Sequence, residues 1–157
     1  MYRGDQPIKQ CSEDKLGRKL FSKELAKSIL NLSTTDTFTI GLYGKWGSGK
    51  TSVINMTIQE LNNISENTAE DKKPIIIQFN PWNYSDSDQL IYQFFSTLSK
   101  NLKIQKHDLR LGNIGTSILD GIKKSIVTEL EKQKRKIIVI IDDIDRLSNE
   151  QIKLIFN

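Results

Sequence analysis

A chain of 157 residues, 37% hydrophobic and 27% charged, has the size and balance of one packed domain, which excludes a disordered or fibrous polypeptide. Its 23 Lys and Arg against 19 Asp and Glu leave a formal charge of +4, compatible with polyphosphate binding and too small to indicate nucleic acid. A single cysteine, Cys11, excludes an intrachain disulfide and fits a reducing, cytoplasmic compartment; a single histidine, His107, leaves nothing to build a His-based metal site or a Ser-His-Asp triad.

Residues 1–13 are polar, lack the apolar core of a signal peptide and read as a flexible tail ahead of a domain over 14–157. Leu16, Leu20, Phe21, Leu25, Ile29 and Leu32 fall on one stripe, predicting an amphipathic helix over 14–31. Ser33-Thr34-Thr35-Asp36 turns the chain into a first strand, Phe38–Tyr43, which is short, apolar and β-prone. A glycine-rich stretch, Gly44–Thr51, comes next. Val53, Ile54, Thr57, Ile58, Leu61 and Ile64 then line one face of a second helix, and the polar run 65–73 forms a loop.

A second strand is expected at Ile75–Phe79, closed by Asn80-Pro81. Leu90, Ile91, Phe94, Phe95, Leu98 and Leu102 repeat at helical spacing over 88–102, and a loop through Gly112 leads to a further stripe at Ile118, Ile122, Ile126, Val127 and Leu130. Lys132, Lys134, Arg135 and Lys136 read as a solvated helix C-terminus in preference to a nucleic-acid contact. Ile137–Ile141 is five β-branched residues in a row, the pattern of a central parallel strand covered on both faces. Ser148-Asn149-Glu150-Gln151 is a capping box that opens a last helix. Strands alternating with helices predict an α/β fold, a three-layer sandwich on a parallel central sheet. No run approaches the roughly 18 apolar residues that span a bilayer.

Gly44-Lys45-Trp46-Gly47-Ser48-Gly49-Lys50-Thr51 matches the phosphate-binding pattern G-x-x-x-x-G-K-[ST] at every required position. Glycines let the backbone wrap a polyphosphate with its N–H groups turned inward. Lys50 supplies a mobile positive charge for the β- and γ-phosphates, and the Thr51 hydroxyl is placed for Mg²⁺. Strand, glycine turn and helix stand in the required order, and the helix start adds unpaired N–H groups through Thr51 and Ser52. The nucleotide-binding set is therefore Gly44 to Ser52. Trp46 is too bulky to be buried in a phosphate cradle and is expected to cover the loop or meet a partner subunit.

Asp142 and Asp143 follow the apolar strand Ile137–Ile141 and complete a Walker B pattern. Strand C-terminal edges are where parallel sheets bind ligands. Asp142 would hold Mg²⁺ opposite Thr51, and Asp143 would polarise the attacking water. Asp145 and Arg146 either orient this loop by pairing with each other or form an exposed ion pair. Phe79-Asn80-Pro81-Trp82-Asn83-Tyr84 either flanks the nucleotide or braces the acidic loop, or else is aromatic packing under a Pro-stiffened turn.

Taken together, Gly41–Ser52, Phe79-Asn80-Pro81-Trp82 and Ile141–Leu147 resemble the KAP family of P-loop NTPases, and the lead-in residues Asp14, Leu16, Arg18 and Phe21 are similar to that family's as well. The resemblance implies an additional-strand P-loop NTPase that binds Mg-ATP and hydrolyses the β–γ bond, with Lys50 and Asp143 catalytic and Thr51 and Asp142 on the metal. It implies settings such as bacterial defence, plasmid functions or membrane-linked signalling. Many members insert transmembrane helices between the two Walker motifs; residues 52–136 contain none. The family continues past the Walker B helix with a sensor strand and a helical region bearing arginine fingers. The expectation is thus an NTPase truncated after the Walker B strand, whose sheet is completed by a C-terminal continuation or further copies. The alternative reading is a nucleotide-gated switch with negligible turnover. No Asn-Lys-x-Asp motif supports GTP over ATP.

Overall fold

A computed structural model describes residues 6–33, 37–84, 87–104 and 118–156. The chain divides into two compact units, Met1–Lys73 and Pro74–Asn157.

The first unit is built on two packed helices, α1 (Lys19–Asn31) and α2 (Lys50–Ser65). Helix α1 starts later than its apolar stripe suggests. The carboxylate of Asp14 accepts the Leu16 and Lys19 N–H groups at 3.0 and 2.7 Å, and Gly17 adopts a positive φ of 69°, so residues 14–18 form a turn. The buried face of α1 also differs. Small residues, Ser22 and Ala26, meet α2, while Leu16, Leu20 and Phe21 remain exposed. Close approach of two helix backbones favours small side chains at the contact, which apolar periodicity alone does not reveal.

Helix α2 buries Val53, Thr57 and Leu61 as expected, together with Met56 and Glu60. The polar segment read as a flexible tail is in part docked on it: Ile8 N–H donates to Ser52 Oγ, Asn55 Nδ2 to the Ile8 carbonyl, and Cys11 N–H to Gln59 Oε1. A short 3₁₀ turn, Cys11–Glu13, closes that segment. Cys11 is buried with Val53 and Met56, and its thiol donates to Glu60. Burial, then the Glu60 carboxylate, push that thiol above its ordinary range.

The strand expected at Phe38–Tyr43 does not form: residues 37–43 carry no ladder, and Phe38, Ile40 and Tyr43 are exposed. β-propensity needs a cross-strand partner to become a strand, and this run has none among the described residues.

The second unit holds a two-stranded parallel sheet, β1 (Ile75–Phe79) beside β2 (Ile137–Ile141), in the register Ile75↔Ile137 through Phe79↔Ile141. Both strands have their expected bounds. Helices α3 (Ser87–Asn101) and α4 (Ile118–Lys132) pack together, and α5 (Asn149–Phe156) packs on α3. One core cluster gathers Phe79, Leu90 and Phe94 with Ile141 and Ile155; another gathers Leu102, Ile122 and Ile126 with Ile75 and Ile137. The capping box closes as read, with Gln151 N–H donating to Ser148 Oγ and Ser148 N–H to Gln151 Oε1. β2 is less covered than its five β-branched residues suggest: only Ile138 is buried and Val139 is exposed. With two strands, both are edges among the described residues. The architecture is an α/β one, a parallel pair with helices. His107 and Gly112 lie outside the described residues.

Candidate nucleotide site

The glycine loop joins the exposed run 38–43 to α2 within the first unit. Gly47 and Gly49 hold φ of 74° and 85°, a left-handed backbone that disfavours any side chain, and Gly49 is the N-cap of α2. Between them Ser48 N–H donates to the Lys45 carbonyl, closing the turn. Gly44 is glycine for another reason: a Cβ there would stand 2.6 Å from Ser48 Oγ. Backbone conformation at Gly47 and Gly49, and close packing at Gly44, therefore favour glycine in this loop, and the first turn of α2 leaves unpaired N–H groups at the helix start. Lys50 Nζ donates to the Gly44 carbonyl at 3.1 Å, so its ammonium spans the loop it belongs to. Thr51 and Ser52 are partly buried in that first turn, while Lys45 and Trp46 are exposed at the tip. Trp46, 85% exposed, covers nothing.

One residue here was given no role by sequence reading. Arg18, at the start of α1, donates from Nη1 to the Ser48 carbonyl. Arg18, Phe21, Leu42, Tyr43, Ser48 and Lys50 line an open cleft of about 290 Å³ beside the loop. The only signal for Arg18 was its place in the lead-in resemblance.

The acidic half is organised within the second unit. Asp142 N–H donates to the Phe79 carbonyl at 3.3 Å, extending the β1–β2 ladder by one residue, so the Asp142 side chain issues from the C-terminal edge of the sheet. Its Oδ1 accepts the Asp143 N–H at 2.9 Å. Asp143 then takes φ 56°, ψ 29°, a left-handed conformation that Asp tolerates better than most residues, and starts the 3₁₀ turn Ile144–Arg146.

Two side chains contact Asp143, and a third backs one of them. Asn80 Nδ2 donates to Oδ2 at 3.3 Å, Arg146 Nε pairs with Oδ1 at 3.3 Å, and the Arg146 guanidinium lies 4.1 Å from the Trp82 ring centroid. Asn80 also accepts the Trp82 N–H at 2.9 Å, fixing the Pro81–Asn83 turn. Both readings of the Phe79–Tyr84 segment have contacts behind them, since Phe79 also stacks on Tyr84 with ring centroids 5.9 Å apart. The Asn80-Pro81-Trp82 turn braces the acidic loop, and Arg146 pairs with Asp143, not with Asp145. Each Asp143 oxygen accepts one protein donor and keeps a lone pair for another.

A family profile described as "KAP family P-loop domain" matches residues 18–114 and 113–157. Among curated proteins, the "Phage T7 exclusion protein" of Escherichia coli (strain K12) is 28% identical over 78 residues, half of this chain. That match covers 10% of the relative's own length. No solved structure matches.

Proposed function

The chain belongs to the KAP family of P-loop domains, and from that membership we propose that it binds Mg-ATP and hydrolyses its β–γ bond within a larger three-layer assembly. The observation that carries this reading is the cradle itself: left-handed Gly47 and Gly49, a Gly44 with no space for a Cβ, and Lys50 at the mouth of α2. A glycine turn that leads into a helix N-terminus suits a polyphosphate, because unpaired backbone N–H groups and the positive end of the helix dipole favour an anion there.

In this reading the backbone of Gly44 to Gly49 and the first turn of α2 with Ser52 bind the phosphates, Lys45 and Trp46 flank them, and Lys50 leaves the Gly44 carbonyl for the β- and γ-oxygens. Thr51 and Asp142 would hold Mg²⁺, which neutralises phosphate charge when bound. Asp143 orients water, its carboxylate aimed by Asn80 and Arg146. The residues present fit the metal chemically: a hydroxyl and a carboxylate are hard oxygen donors.

Two features support the larger assembly. Each strand of the β1–β2 pair leaves one edge unpaired among the described residues, and Phe38–Tyr43 is a β-prone run with no partner strand there. A C-terminal continuation or a second copy would supply the missing strands and an arginine finger. The name of the matched relative favours a role in exclusion of phage, and a cytoplasmic setting accords with the buried, unpaired Cys11. No helix among the described residues is long and apolar enough to cross a membrane.

The test is titration with Mg-ATP together with an assay of phosphate release. Lys50→Ala removes a charged donor worth about 1.5–3 kcal/mol and should weaken ATP binding at least about tenfold. Unchanged affinity in that variant would defeat the proposal. A second reading is a nucleotide-gated switch, favoured by the engagement of Arg18, the arginine beside the loop, with the Ser48 carbonyl. ATP binding without phosphate release would select it.

A further inference from the structure

We propose that the lead-in turn Asp14–Arg18 is a working part of the phosphate site, with Arg18 the positioning residue that sets the direction of a phosphate-binding amide. The inference rests on the triphosphate reading above and adds a residue and a mechanism to it.

A trans peptide is planar, with its C=O and N–H pointing in opposite directions. Fixing the Ser48 carbonyl therefore fixes the Gly49 N–H, because both belong to one peptide unit. Arg18 Nη1 donates to that carbonyl, and a Cβ at Gly49 would stand 2.9 Å from the same nitrogen. The guanidinium thus lies against the loop at its last turn before α2. Holding the carbonyl on Arg18 turns the Gly49 amide the opposite way, away from the guanidinium, where it can donate to a phosphate oxygen. A guanidinium is suited to this task, since it stays charged at all working pH values and its planar fork loses little freedom on binding.

The turn that delivers Arg18 is itself specified. The Asp14 carboxylate gathers the Leu16 and Lys19 N–H groups, and Gly17 takes the left-handed φ that reverses the chain just before Arg18. The Arg18 carbonyl then accepts the Ser22 N–H at 3.0 Å and starts α1, whose packing on α2 keeps the guanidinium beside the loop. Four residues apart from Arg18, Ser22 Oγ donates to the Val53 carbonyl at 3.4 Å, a second tie between the two helices that does not reach the loop. That tie offers a control for purely structural effects.

The experiment compares wild type, Arg18→Ala, Arg18→Lys and Ser22→Ala by titration with Mg-ATP and with inorganic tripolyphosphate, and by melting without ligand. Arg18→Ala should weaken both ligands by the same factor, about tenfold, because the defect lies in the loop and not at the base. Arg18→Lys should recover part of the loss. Ser22→Ala should lower the melting temperature while changing either affinity by less than about twofold. Wild-type affinity in Arg18→Ala would overturn the inference, as would affinity losses that follow melting temperature equally in both alanine variants. Failure of the wild type to bind either ligand would instead overturn the triphosphate reading on which it depends.

Discussion

Gly44 carries a constraint that can be tested with one methyl group. A Cβ there meets Ser48 Oγ at 2.6 Å, a distance that forces the Ser48 side chain or the loop to move. Gly44→Ala is expected to leave the helical content of the chain intact while weakening Mg-ATP binding about tenfold or more, measured by circular dichroism and titration together. Asp143 permits a cleaner substitution than its position suggests. Asn accepts the same left-handed backbone, so Asp143→Asn should keep the turn, loosen the Arg146 pairing, and abolish phosphate release with ATP affinity retained within about threefold. Asp14 gives a pH signature. The Lys19 N–H, acting first, and other backbone amides hold its carboxyl below the usual carboxylate range. Its contribution to stability is therefore present above the ordinary aspartate value of about 4 and lost as pH falls through the lower folded-state value. Melting temperature followed from pH 7 toward acid should fall less steeply in Asp14→Asn than in wild type.

At the scale of elements, the second unit was the easier to read. Ile75–Phe79 and Ile137–Ile141 are short β-branched runs bounded by polar or Pro residues, and each signal is local. The same holds for the Ser148–Gln151 box, where two reciprocal hydrogen bonds depend on residues three apart. Ser148→Ala should cost about 1 kcal/mol, read as a shift in denaturant midpoint. Where the sequence misled, the deciding partner was distant. Phe38–Tyr43 has strand composition, yet a strand exists only when another ladder accepts it. The stripe Leu16, Leu20, Phe21 looked like the buried face of α1, but Ser22 and Ala26 meet α2 instead.

The site was legible to the same degree and for the same reason. The glycines of the loop and the acids after β2 are contiguous patterns with a fixed local meaning. The brace around Asp143 joins residues 80, 82 and 146, and Arg18 reaches the loop from a separate helix. Spacing along the chain carries no record of such contacts.

At the scale of the whole molecule, the glycine loop belongs to the unit Met1–Lys73 and the acidic turn to the unit Pro74–Asn157. Thr51 stands in the first and Asp142 in the second. The magnesium role proposed for each residue makes the metal's effect on ATP affinity depend on that residue's side chain. The decisive measurement is the ATP dissociation constant with and without Mg²⁺ in wild type, Asp142→Asn and Thr51→Ala. The account predicts that Mg²⁺ tightens binding in the wild type and that either substitution removes most of that tightening. Equal magnesium enhancement in wild type and Asp142→Asn would contradict it.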